Sequence, residues 1–109
     1  LKQNIIVVFQ PHRYSRTQIL MDKFIKVLGK INNLILLETY SAGEKKIKGA
    51  TSKDIYLNLS KYNKNIIHLK NQKNLHNSLE KFTQKKNIII FMGAGSISNL
   101  AKNYFITND

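Results

Sequence analysis

The residues best suited to chemistry gather in nine positions, Phe9-Gln10-Pro11-His12-Arg13-Tyr14-Ser15-Arg16-Thr17, which hold the only proline and the only two arginines of a chain that otherwise carries its positive charge on lysine. They follow directly on the apolar run Ile5-Ile6-Val7-Val8-Phe9. A buried strand that runs into a Pro-braked turn and then a helix sets the turn at the carboxyl end of a sheet, where open α/β proteins place their ligands. Arginine there points to bidentate recognition of a planar anion, a carboxylate or a phosphate, because the guanidinium is a rigid fork of donors. Arg13 and Arg16 are three residues apart, which at a helix start aims both side chains to one side. The alternative is that one of them pairs with an acid such as Asp22 or Glu38 and only pins the turn.

A second candidate is Gly93-Ala94-Gly95, which follows the last apolar run and opens a helix near Ser96. Backbone N–H groups at a helix N-terminus attract anions, and glycine lets a ligand approach the backbone. As a dinucleotide fingerprint the segment is incomplete: Ser98 takes the third glycine position, and it follows the last strand instead of the first. A tight strand-to-helix turn without a ligand reads equally well. Of the three histidines, His12 lies in the arginine-bearing turn, where it belongs to the site or orders the turn by hydrogen bonding to backbone. His68 and His76 read as surface or hydrogen-bonded histidines, and no two histidines have metal-ligand spacing. Glu38 and Glu44 flank the second long loop and could act as acid or base. A lone carboxylate at a strand end more often accepts backbone N–H bonds or pairs with a neighbouring Lys or Arg. No catalytic residue and no metal ligand is assigned.

Four apolar runs must position these groups: Asn4 to Phe9, Leu34 to Glu38, Asn65 to Leu69 and Asn87 to Met92, each continuous enough for a strand buried on both faces. Between and after them, helical spacing relates Leu20, Phe24, Val27 and Leu28, then Leu75, Leu79 and Phe82, then Ile97, Leu100, Ala101 and Tyr104. Thr51 and Asp54 form an Asp variant of the capping box and start a further helix that runs through Leu59. The order βαβαβαβα predicts a Rossmann-like, doubly wound α/β fold with a mainly parallel sheet and helices on both faces. Gln10 to Arg16, Thr39 to Ala50 and Gly93 to Gly95 then share one edge. Thr39 to Ala50 is the longest irregular connection.

A length of 109 residues supports one small domain with its own core. The absence of cysteine excludes disulfides, thiolate metal sites and a cysteine nucleophile. No apolar stretch approaches the roughly 20 residues needed to span a bilayer, and no signal-like N-terminus is present, so a cytoplasmic protein is expected. A chain that opens on Leu1 is expected to be a piece of something longer. The formal net charge of +12 raises nucleic-acid binding. The sixteen lysines, however, are scattered along the chain without clustered arginine or interleaved aromatics, as on a solvated basic surface.

The nonapeptide Phe9 to Thr17, the segment Leu37-Glu38-Thr39-Tyr40-Ser41-Ala42-Gly43-Glu44 and the later Gly93-Ala94-Gly95-Ser96-Ile97 occur in the order and at about the spacing of one enzyme family. The chain resembles the C-terminal, amino-acid-binding domain of the Mur ligases of peptidoglycan synthesis, in the branch that adds L-alanine. Ser41 and Ser98 stand where that family usually has Pro and Gly. The resemblance covers residues 1–109, without the family's first strand and histidine-containing loop. It implies a full-length ATP-dependent acid–amino-acid ligase that activates UDP-N-acetylmuramate as an acyl phosphate, which L-alanine attacks. ATP and Mg2+ would be held by a central domain outside this chain, which carries no G-x-x-x-x-G-K-[ST] loop, and the fragment alone would be inactive. Arg13 and Arg16 would bind the L-alanine carboxylate, with His12, Glu44, Gly93 and Gly95 shaping the site. The competing expectation is a stand-alone basic α/β module that docks an acidic partner or nucleic acid.

Overall fold

The computed structural model describes residues 5–62, 65–83, 87–93 and 102, with the side chains of 81–83 left aside. Four strands, β1 (Ile5–Gln10), β2 (Asn33–Leu37), β3 (Ile66–Leu69) and β4 (Ile88–Gly93), form one sheet in the order β3-β2-β1-β4, and every pairing is parallel. Each strand lies within one residue of its apolar run at either end. Three helices connect them: α1 (Tyr14–Leu28), α2 (Ser52–Leu59) and α3 (Leu75–Thr83), the last preceded by a short 3-10 turn over Gln72–Asn74. This is a doubly wound α/β fold, as expected from the alternation. The fourth expected helix, built on Ile97, Leu100, Ala101 and Tyr104, lies outside the described residues, as does Gly95.

The alternating residues of β1 and β2 divide the core in two. Val7, Phe9, Leu34 and Leu36 pack with Leu28 of α1 and with Ile55 and Leu59 of α2. Ile6, Val8, Ile35 and Leu37 pack with Leu75 and Leu79 of α3 on the other face. The centre strands are therefore buried on both sides, as a parallel sheet requires. β4 departs from this: Ile89 and Phe91 pack against the α3 side, while Ile88, Ile90 and Met92 on the opposite face stay 39–44% exposed among the described residues.

Helix α1 corrects one core assignment. Val27 is 56% exposed, whereas Tyr14, Thr17 and Leu28 are buried. Met21, Phe24 and Ile25 pack on the same side as Leu28. Val27 lies about 100° of helical rotation away from Leu28, so both cannot centre one stripe, and the residues at Tyr14 and Thr17 set its phase. Helix α2 starts as its sequence predicts: the Thr51 hydroxyl accepts the Asp54 N–H at 3.2 Å, and the Asp54 carboxylate accepts the Thr51 N–H at 2.9 Å. No helix among the described residues is long and apolar enough to cross a membrane.

Candidate functional site

Strand order fixes where a ligand can enter. The chain moves from β1 outward to β2 and β3, then returns to place β4 on the other side of β1. Helix α1, which leaves β1, and helix α3, which leads into β4, pack on opposite faces, and the crevice at the carboxyl ends of β1 and β4 is the topological switch point of the sheet. A cleft of about 250 Å³ lies there, lined by Phe9, Gln10, His12, Arg16, Leu20, Phe24 and Gly93. Its volume is just below the roughly 300 Å³ where pockets for drug-sized ligands begin. The base is apolar, with Phe9 and Phe24 in edge-to-face contact at 5.4 Å, and the rim is polar and positively charged.

The turn that forms the rim is held from several directions. Tyr40, just past β2, accepts the Arg13 N–H on its carbonyl at 2.7 Å and donates its own N–H to the Pro11 carbonyl at 2.8 Å. The rings of His12 and Tyr40 stack at 5.3 Å. Arg13 adopts φ 68°, ψ 140° at the N-cap of α1, a region that a side-chain-bearing residue occupies at a cost of about 1–3 kcal/mol. Its carbonyl is clamped by the Thr17 hydroxyl at 2.8 Å and the Thr17 N–H at 3.2 Å. Thr17 is fully buried, so the strained residue is locked from below while its own side chain stays exposed.

Arg16 is also exposed and lines the cleft; Arg13 is not among its lining residues. Neither arginine forms an ion pair with Asp22 or Glu38 among the described residues. Glu38, expected to accept backbone N–H bonds or to pair with a neighbouring Lys or Arg, pairs instead with His68 of the neighbouring strand, Nε2 to Oε1 at 2.7 Å. Glu44 accepts both the Ser15 N–H at 3.1 Å and the Ser15 hydroxyl at 2.5 Å. Those bonds, the hydroxyl's first, hold its carboxyl below the usual carboxylate range, with help from the Arg13 charge. An ionised, doubly bonded Glu44 is a poor proton acceptor near neutrality. Its role is to tie the second loop to the first turn of α1, which has no acidic residue of its own.

Gly93 pairs with Gln10 in the β1–β4 register and has φ +148°; a Cβ there would lie 2.7 Å from the Gln10 carbonyl oxygen. Glycine is thus demanded by both backbone conformation and close approach. Gln10 itself is 1% exposed and donates from Nε2 to the Glu38 carbonyl at 3.2 Å. His12 shapes the rim by stacking, not by the expected hydrogen bond: among the described residues its buried Nδ1 has no partner. An orphaned donor or acceptor beside an arginine suits a polar ligand, since leaving it unpaired costs about 1–3 kcal/mol.

Of the residues singled out in the sequence, His12, Arg16 and Gly93 line this one cleft. Nothing in the sequence marked Leu20 and Phe24 as lining of the cleft, Tyr40 as the brace of the turn, or the backbone strain at Arg13, which no residue type announces. Among the described residues no group of three or more His, Asp or Glu is placed to hold a metal.

No protein-family profile matches the chain. It is 36% identical over 102 residues to the UDP-N-acetylmuramate–L-alanine ligase of Wigglesworthia glossinidia brevipalpis, covering 93% of this chain and 22% of that protein. It is likewise 36% identical over 107 residues to the enzyme of the same name from Buchnera aphidicola subsp. Baizongia pistaciae, covering 96% of this chain and 22% of that one. The chain therefore spans about a fifth of the length of the curated relatives it matches.

Proposed function

We propose that this chain, homologous over nearly its whole length to a segment of the UDP-N-acetylmuramate–L-alanine ligases, is the C-terminal, amino-acid-binding domain of such a ligase in the cytoplasm. The observation that carries the reading is the coincidence of the strained, arginine-bearing turn with the switch-point cleft between β1 and β4. Arg16, on the cleft wall, holds the carboxylate of L-alanine, and Arg13, exposed at the N-cap, reaches over to join it. His12 Nδ1 gains a polar partner when the amino acid enters, and the apolar base of Phe9, Leu20 and Phe24 receives the methyl group. A carboxylate fixed in this way leaves the amine oriented for attack on an activated acyl group, and orientation alone removes much of a bimolecular barrier.

The residues present do not suit ATP and Mg2+, since the sequence has no phosphate-binding loop after a strand and the described carboxylates do not cluster. We assign both, and UDP-N-acetylmuramate, to other domains of the full-length ligase. That assignment leaves this domain the task of delivering the amino acid. The test is to supply the full-length protein with UDP-N-acetylmuramate, ATP, Mg2+ and radiolabelled L-alanine. Label transferred to the UDP-sugar supports the reading, and absence of transfer in active, folded protein refutes it.

A further inference from the structure

A second cleft, of about 340 Å³, opens at the carboxyl ends of β2 and β3, lined by Glu38, Lys46, Thr51, Lys53, His68 and Lys70. Three ammonium groups reach it from three separate elements: Lys46 from the loop after β2, Lys53 from the first turn of α2 and Lys70 from the residue after β3. None of the three is in an ion pair among the described residues. The one carboxylate on the lining, Glu38, is already bonded to His68, whose side chain is 9% exposed and stacks on Tyr56 at 5.9 Å. That pair forms the floor, and its single carboxylate offsets only part of the three ammonium charges, leaving the recess net positive. Nearby Asp54, which feels the Lys53 charge, is turned into the capping box with Thr51. The box satisfies the N–H groups of Thr51 and Asp54, while those of Ser52 and Lys53, at the positive end of the same helix, have no acceptor among the described residues.

We infer that this cleft is a second ligand site, which takes a diphosphate group. The lysines are point charges, not planar forks, and three of them around one recess match a compact multivalent anion better than a single carboxylate. A recess of about 340 Å³ has room for two phosphoryl groups among its three ammonium groups, whereas diffuse adhesion of the +12 surface to nucleic acid needs no recess. The inference does not depend on the ligase reading: it concerns the β2–β3 end of the sheet's carboxyl edge, away from Arg16.

The experiment titrates inorganic diphosphate into the isotopically labelled 109-residue chain at about 0.15 M salt, where diffuse surface attraction is largely screened, following amide shifts by NMR. Saturable shifts centred on Thr51, Lys53, His68 and Lys70 are expected, with K53Q and K70Q each weakening binding about tenfold. The control K26Q/K61Q removes two exposed lysines near the far ends of α1 and α2 and should leave affinity unchanged. Parallel titrations with uridine and adenosine diphosphates tell whether a base adds to the diphosphate or contributes nothing. Shifts spread over lysines of the whole surface, equal weakening by the control, or no saturation at millimolar diphosphate would overturn the site. Tighter binding of a duplex oligonucleotide at the same lysines would also overturn it.

Discussion

Replacing Gly93 by alanine tests the geometry of the switch-point cleft where the structure leaves least room. Two costs combine. The residue sits at φ +148°, and a side chain in such a conformation costs about 1–3 kcal/mol. The new Cβ would also stand 2.7 Å from the Gln10 carbonyl oxygen, an overlap with backbone that cannot rotate away. Parting β4 from β1 to relieve it resembles overpacking and adds about 1–3 kcal/mol. A total of about 3 kcal/mol is a large share of the roughly 5–15 kcal/mol by which a small domain is stable. Gly43 is the internal control: at φ +87° with nothing within 4 Å of a built Cβ, Gly43→Ala carries only the conformational cost of about 1–2 kcal/mol. Urea denaturation of the two variants, followed by circular dichroism, gives the difference directly. If Gly93→Ala is no more destabilising than Gly43→Ala, the close packing of β4 on Gln10 is wrong.

Two further outcomes follow from the local chemistry. Arg13→Gly should relieve the strained N-cap backbone and, after the entropy cost of glycine of roughly 0.5–1 kcal/mol, stabilise the chain by about 1 kcal/mol; a destabilised variant in thermal melts would mean that the Arg13 side chain is needed for folding. The Asp54 carboxyl is held below its ordinary value near 3.8 by the Thr51 hydroxyl and then the Thr51 N–H. A depressed folded-state pKa stabilises above the unfolded value, and that contribution fades as pH falls through the folded one. Asp54→Ala should therefore cost about 1 kcal/mol at neutral pH and flatten the loss of stability below about pH 4, as read from denaturation midpoints across an acid series; an unchanged acid slope would contradict the capping box.

The parts of this molecule legible in its sequence are those where a local pattern and a tertiary demand coincide. The four apolar runs became strands within a residue of their expected ends. For β1 and β2 this follows from burial on both faces, which leaves no alternation to misread, while the run of β4 is as continuous although one of its faces is exposed among the described residues. Thr51 and Asp54 announced a helix start because a capping box acts over three residues. Val27 misled because two apolar neighbours at the end of α1 compete for one stripe, and only the distant contacts of Tyr14 and Thr17 set the phase. The Glu38–His68 pair and the lysine cleft needed the β2–β3 register, which places residues 30 apart in sequence side by side. Arg13 shows the sharper limit: its positive φ is imposed by the Tyr40 and Thr17 hydrogen bonds, and neither arginine nor its neighbours carry a signal for it.

The central claim is that Arg16, joined by Arg13 from the N-cap of α1, holds the carboxylate of an amino acid at the switch-point cleft. It is tested most directly by steady-state kinetics of the full-length ligase with L-alanine varied at saturating ATP and UDP-N-acetylmuramate. Loss of one charge-assisted hydrogen bond worth about 1.5–3 kcal/mol should raise the KM for L-alanine about ten- to hundredfold in Arg16→Ala and in Arg13→Ala. Arg16→Lys should recover only part, because a point charge cannot reproduce the fork. Both alanine variants retaining the parent KM and kcat would contradict the claim and remove these arginines from the amino-acid site.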